Sequence, residues 1–152
     1  MTSVVGQALK DNGYLVHSIT GVSMIPMLRQ SQDAVHLVPA QGRLSRDQIA
    51  LYQRANGSIV LHRVVKVIPE GYIIRGDNCI DNELVLEEQI IGVAQGVYRD
   101  GQYYSCQNKA IARFAARQRW TLPYRRLRAF LAKVKRKLSK IIAKNQHKIL
   151  DK

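Results

Sequence analysis

A serine hydroxyl becomes a working nucleophile only where a base can take its proton. The segment GVSMIPML, Gly21–Leu28, offers a serine in a constrained setting. Gly21 lets a substrate backbone approach closely, and Pro26 fixes φ three residues beyond Ser23. A rigid turn of this kind can aim the hydroxyl of Ser23 and its own N–H at a scissile carbonyl. Taken alone, a G-x-S-x-x-P segment reads far more readily as an ordinary solvated loop.

The base must come from His17, His36, His62, His147 or a lysine. Lys10 sits in a leading helix, Lys66 lies nearer a turn, and His147 belongs to the tail. His62 stands mid-strand in SIVLHRVVKVI, and the sequence SIVLHRVVKVI-PEG-YIIRG reads as a hairpin. With Glu70-Gly71 as a two-residue loop, Pro69 pairs with Tyr72 and His62 lies opposite Cys79. A longer loop or a bulge moves this by a residue or two. The register brings Gly76–Asp81 beside His62, so Asp77 or Asp81 can fix its tautomer and stabilise the imidazolium formed on attack. A core histidine bonded to a backbone carbonyl is the plainer reading of His62 alone.

The elements that must position these groups are short. Residues 2–12 read as a helix capped by Thr2 or Ser3 and ended by Asn12-Gly13. Strand patterns follow at Tyr14–Ile19, Ala34–Val38, Gln48–Gln53, Ser58–Ile68, Tyr72–Arg75, Ile90–Tyr98 and Gln102–Ser105. Turn residues punctuate nearly every gap, which predicts a mainly β fold, a coiled antiparallel body. The domain reading is a β body over residues 1–107 and a tail over 108–152.

Charge separates these two parts. Residues 1–108 hold 9 Lys+Arg and 10 Asp+Glu, whereas residues 109–152 hold 15 Lys+Arg against Asp151 alone. A net charge of +13 therefore describes a near-neutral body with a basic tail, not a uniformly basic protein. The tail reads as a helix over 108–119, then a second helix after Trp120-Thr121-Leu122-Pro123, with Thr121 as N-cap and Pro123 in the first turn. Leu127, Phe130, Leu131, Val134, Leu138, Ile141, Ile142 and Ile149 make an apolar stripe among lysines and arginines. An anionic membrane surface meeting residues 122–149 is the expected partner of that stripe, ahead of nucleic acid, because phosphate binding needs no apolar stripe. A solvated helix packed on the body or on a partner is the plainer reading.

Cys79 and Cys106 show no metal-ligand spacing, and two free thiols suit a reducing compartment. The N-terminus lacks a basic n-region, and no stretch reaches the ~18–20 apolar residues of a spanning helix. The expectation is a cytoplasmic or peripherally membrane-bound protein without signal peptide or transmembrane helix.

Three blocks, in order, resemble the superfamily of type I signal peptidases and self-cleaving SOS-type repressors. GVSMIPMLRQSQD (Gly21–Asp33) resembles its serine box, IVLHRVVKV (Ile59–Val67) its second box, and IIRGDNCIDNE (Ile73–Glu83) its G-D-N box, followed by IIGVAQGVYR (Ile90–Arg99). The match covers roughly residues 10–100. Histidine rather than lysine in the second box is similar to the archaeal, endoplasmic-reticulum and small soluble bacterial relatives. The resemblance implies Ser23 as nucleophile, His62 as general base and Asp81 as the orienting acid, with Asp77 in a structural or secondary role. It also implies Gly21 and Thr20 near the oxyanion site, Met24 and Pro26 at the substrate site, and chemistry without metal or cofactor. The sequence departs from the family at Gln32-Asp33 and Asp47-Gln48, where Gly-Asp is common, and at Gly21, where some relatives carry a serine. The expected activity is endopeptidic removal of a leader or signal segment from a peptide or preprotein. The rivals are a non-catalytic peptide-binding or regulatory module of this fold, and a self-cleaving SOS-type regulator lacking its DNA-binding domain.

Overall fold

The computed structural model describes residues 4–150, with side chains throughout except at 109, 112, 119 and 141–150. The expected caps Thr2 and Ser3, the side chains of Ile141, Ile142 and Ile149, and that of His147 lie outside the described residues. The chain divides into two compact units, Met1–Arg117 and Gln118–Lys152.

In the first unit a short helix, α1 (Val4–Asn12), precedes eight antiparallel strands. They are β1 (Leu15–Ser18), β2 (Ala34–Pro39), β3 (Ile49–Gln53), β4 (Ile59–Ile68), β5 (Gly71–Arg75), β6 (Glu83–Leu86), β7 (Ile90–Arg99) and β8 (Gln102–Ser105). The expected mainly β, antiparallel fold with a short leading helix and a helical tail is what the chain adopts. β6 is an addition to the strands legible in sequence. α1 ends as its sequence predicts, with Gly13 at φ +74° and its N–H bonded to the Leu9 carbonyl.

The sheet order is β1-β2-β7-β3-β4-β5-β6, with β8 on the far half of β7. β3 is central and buried nearly throughout, because alternate side chains enter two different clusters. Ile49 and Leu51 pack with Leu9, Met24, Leu28 and Leu37, whereas Ala50 and Tyr52 pack with Val64, Tyr72, Ile74 and Val85. Each such aliphatic side chain contributes roughly 1.5–3 kcal/mol by leaving water.

The hairpin differs from its predicted register. The loop is Pro69-Glu70, with Ile68 paired to Gly71, and a bulge between Val64 and Lys66 brings Arg63 opposite Arg75. Continuing that register sets His62 opposite Gly76, three positions from the predicted partner Cys79. Gly71 opens β5 by pairing with Ile68, and the position requires glycine because a Cβ there would lie 2.3 Å from the Val85 carbonyl of β6. A slip by an odd number of residues exchanges sheet faces. Asp77 therefore falls on the face of Arg63, not that of His62.

The tail is also continuous where two helices were expected. α2 runs unbroken over Lys109–Leu150 with Pro123 inside it. Asn108 caps it by accepting the Ala110 N–H at 2.9 Å, and Thr121 bonds back to the Gln118 carbonyl instead of capping a new helix. Among the described residues no helix is long and apolar enough to cross a membrane.

Candidate functional site

Ser23 sits in the loop between β1 and β2, which is fastened at its base. Ile19 donates its N–H to the Asp33 carbonyl, and Ser31 donates to Ile19. The fully buried Asp33 carboxylate accepts from Arg29 N–H (2.8 Å), Arg29 Nε (2.9 Å) and Arg99 Nη2 (2.6 Å). Burial alone would raise the Asp33 pKa, but the bonds from Arg99 and Arg29 outweigh it and bring it down to about 2. The loop carries a cis Ile25–Pro26 peptide. Asp33 closes the serine box in sequence, yet its role as the clamp of this loop is visible only in the fold.

The Gly76–Cys79 turn clasps the serine loop. Asn78 donates its backbone N–H to the Ser23 carbonyl (2.7 Å) and its side-chain amide to the Val22 carbonyl (3.2 Å). Gly76 is the point of closest approach: a Cβ there would lie 2.7 Å from Ser23 O, 2.9 Å from Cys79 Sγ and 3.0 Å from His62 Nε2. The Ser23 loop and the imidazole thus meet across one glycine that no other residue could replace without displacement. Gly21 contrasts with it: open space faces its Cβ position and its φ is ordinary, so the fold itself does not demand glycine there.

His62 is buried on β4, sharing a face with its partner Ala50 and with Tyr52 on β3. The same face continues through Val64 and Ile74 to Glu83 on β6. Tyr52 Oη lies 3.2 Å and Glu83 Oε1 3.4 Å from His62 Nδ1. Tyr52 spends its one proton on Glu83 Oε2 at 3.0 Å, so its oxygen can accept from Nδ1–H. That assignment leaves Nε2 unprotonated toward Gly76 and the Ser23 loop. Arg54 grips Glu83 through Nε at 2.8 Å and through Nη2, and this pairing, above all, holds the Glu83 carboxyl below its ordinary value. Burial pushes His62 below the ordinary histidine value; Arg54 adds to the fall, whereas Glu83 and Asp77 oppose it. A neutral imidazole is the form a general base requires.

The aspartates are placed differently from the expectation. Asp77 forms a buried two-point pair with Arg63 at 2.8 and 2.7 Å, on the other face of the sheet. Asp81 is exposed and lines the cavity, while the Nδ1 position it was expected to occupy faces Tyr52 and Glu83. Both departures follow from the shifted hairpin and from β6, which returns Glu83 alongside β5. Glu83 ends the third sequence block, but nothing in its local sequence points to a place beside His62.

A cavity of about 550 Å³ joins these groups, lined by Thr20, Gly21, Ser23, Met24, His62, Cys79, Asp81 and Glu83, with apolar walls from Ile19, Val35, Leu37 and Leu51. Pro26, expected at the substrate site, instead lines a separate cavity with Met27, Arg99 and Phe114. His17 reaches the rim of the first cavity. His36 packs among the rings of Tyr14, Tyr98 and Tyr103. Burial raises the Cys106 thiol to about 11, which makes it a poor nucleophile at neutral pH. Among the described residues no group of three or more His, Cys, Asp or Glu side chains could share a metal ion. Compared with known proteins, the chain matches no family model and no curated protein.

Proposed function

We propose that this chain is a serine endopeptidase of the signal-peptidase type, removing a leader or signal segment from a peptide or protein precursor. Ser23 is the nucleophile and His62 the general base. The observation that carries the reading is the convergence at Gly76: the backbone of Ser23 and Nε2 of a buried, neutral imidazole approach one point. Tyr52 and Glu83 engage the opposite ring nitrogen. The resemblance of the three sequence blocks supports the same assignment.

In the reaction Ser23 Oγ bonds to the scissile carbonyl carbon as its proton passes to His62 Nε2. The Ser23 N–H stabilises the oxyanion. Collapse breaks the C–N bond, and the imidazolium returns its proton to the leaving amine. Water, deprotonated by His62, then releases the acyl group and restores the Ser23 hydroxyl. The substrate lies extended along the β body, its small side chains facing Met24 and the apolar wall of the cavity. Such an enzyme would act in the cytoplasm or peripherally at a membrane.

A phosphonate probe directed at activated serines tests this. Mass spectrometry should find one adduct, on Ser23, in the native protein and none in Ser23→Ala or His62→Ala. A folded native protein that takes up no label would end the peptidase reading and leave a non-catalytic peptide-binding module in its place.

A further inference from the structure

Beyond Arg117, α2 carries Trp120, Tyr124, Leu127, Leu131, Val134 and Leu138 at alternating spacings of four and three residues. At about 100° per residue these form a single stripe. It is continuous because the helix does not break at Pro123. All six are exposed or nearly so, from Val134 at 37% to Trp120 at 86%. An apolar row of this length in water marks a surface meant to be covered.

Charge decides what covers it. Residues 118–152 hold 12 Lys+Arg and one acid, Asp151. Arg126 and Lys137 border the stripe on one side, and Arg128 and Lys135 border it on the other. A second copy laid stripe to stripe would set these like charges against each other with no carboxylate between them. A nucleic acid would neutralise the borders but leave the tryptophan, tyrosine and leucines in water. An anionic lipid surface satisfies both: phosphates meet the basic borders, and the acyl boundary receives the stripe. Tyrosine and tryptophan at one end suit the headgroup level, where an amphipathic ring keeps its polar tip wet. We propose that residues 118–140 dock in the plane of an anionic bilayer. The proposal is independent of the peptidase reading.

Trp120 is the only tryptophan, so its emission reports the helix directly. The full chain is mixed with vesicles of phosphatidylglycerol and phosphatidylcholine in equal parts, or of phosphatidylcholine alone. Co-sedimentation with the anionic vesicles, blue-shifted Trp120 emission and quenching by brominated acyl chains are the expected results. Replacing one bordering Arg or Lys by Gln should weaken partitioning about fivefold. A Leu127→Ser, Leu131→Ser, Leu138→Ser variant should lose insertion while the thermal transition of the body is unchanged. Absence of sedimentation with either vesicle overturns the proposal. So does salt-reversible binding without a Trp120 shift, the behaviour of a phosphate-binding surface. A lipid-independent dimer broken by the triple variant would assign the stripe to a second copy instead.

Discussion

His62 and Arg63 are consecutive on β4 and equally buried, yet their surroundings differ in kind. Arg63 faces Asp77 through two parallel hydrogen bonds and gives a third to the Asp47 carbonyl. This is a closed pair, with 5% and 3% of the two side chains exposed. His62 faces an open arrangement on the other side of the sheet. Its Nδ1 meets Tyr52 and Glu83 at longer range, Glu83 is itself gripped by Arg54, and Nε2 is turned to the Ser23 loop. A guanidinium whose charge is fully matched can only hold structure. An imidazole kept neutral by burial, with one nitrogen supported, can also move a proton. In the proposed mechanism two neighbouring residues thus divide stability from chemistry, and each half of that division can be broken separately.

The sharpest break is at His62 itself. His62→Ala should lower the rate of Ser23 labelling or of cleavage by about 10⁶-fold. Its urea midpoint should fall only by the cost of the vacated ring volume, because no buried charge is orphaned. A variant that keeps its rate would remove His62 from the mechanism.

Asp77→Ala should do the reverse. It strands the Arg63 guanidinium in a buried site, at about 3–5 kcal/mol, a large part of a small domain's whole stability. Chemical denaturation should read this loss directly. The acid limb of the folded fraction's pH–rate profile should move only slightly to lower pH, because Asp77 supports the His62 proton through the field across the sheet and not by contact. A moved limb without lost stability would make Asp77 the histidine's partner after all.

Much of this was legible in sequence, and the part that was not has a definite cause. The seven strands with alternating or β-branched patterns are recognisable because each has a local signal. So are the special serine, the mid-strand histidine and the helix stop at Asn12-Gly13. The identity of the acid is not local. It depends on a turn at Pro69-Glu70 instead of Glu70-Gly71, on a bulge near Val65, and on the short strand Glu83–Leu86, whose ELVL has no clear alternation. Those non-local features sum to an odd slip, which moves Asp77 to the other face and admits Glu83. The unbroken α2 is a comparable case. Pro123 reads as a first-turn residue, yet the chain continues through it, with Thr121 bonded to the Gln118 carbonyl.

Glu83→Gln sharpens the comparison at its chemical end. Glu83 raises the affinity of His62 for a proton, while burial and Arg54 lower it. Removing the carboxylate leaves only the more distant Asp77 to oppose both lowering influences. The acid limb of the rate profile, already below the ordinary histidine value of 6.5, should move to still lower pH. The rate on the plateau should fall by roughly 10²–10⁴, because the imidazolium formed on attack loses its counter-charge. Stability should change by under about 1 kcal/mol, since Arg54 is partly solvated. An unmoved limb here, together with a moved one in Asp81→Asn, would return the orienting role to Asp81.

Asp33 extends the comparison to the loop of the proposed nucleophile. Like Asp77 it is an acid held by arginines, so it belongs with structure although it lies ten residues from Ser23. Its carboxyl titrates near 2 in the folded chain against an ordinary 3.8, and the unfolded chain therefore binds the proton first as pH falls. The stabilisation is present in full above pH ~4 and disappears as pH drops toward 2, at about 2 kcal/mol in total. Asp33→Asn should lower the stability of the body by about that amount at neutral pH. It should also flatten the loss of stability between pH ~4 and 2, and leave the acid limb set by His62 where it was. Urea unfolding at a series of pH values separates these outcomes. A shifted rate profile with unchanged stability would mean that the loop clamp acts on the base and not on the fold.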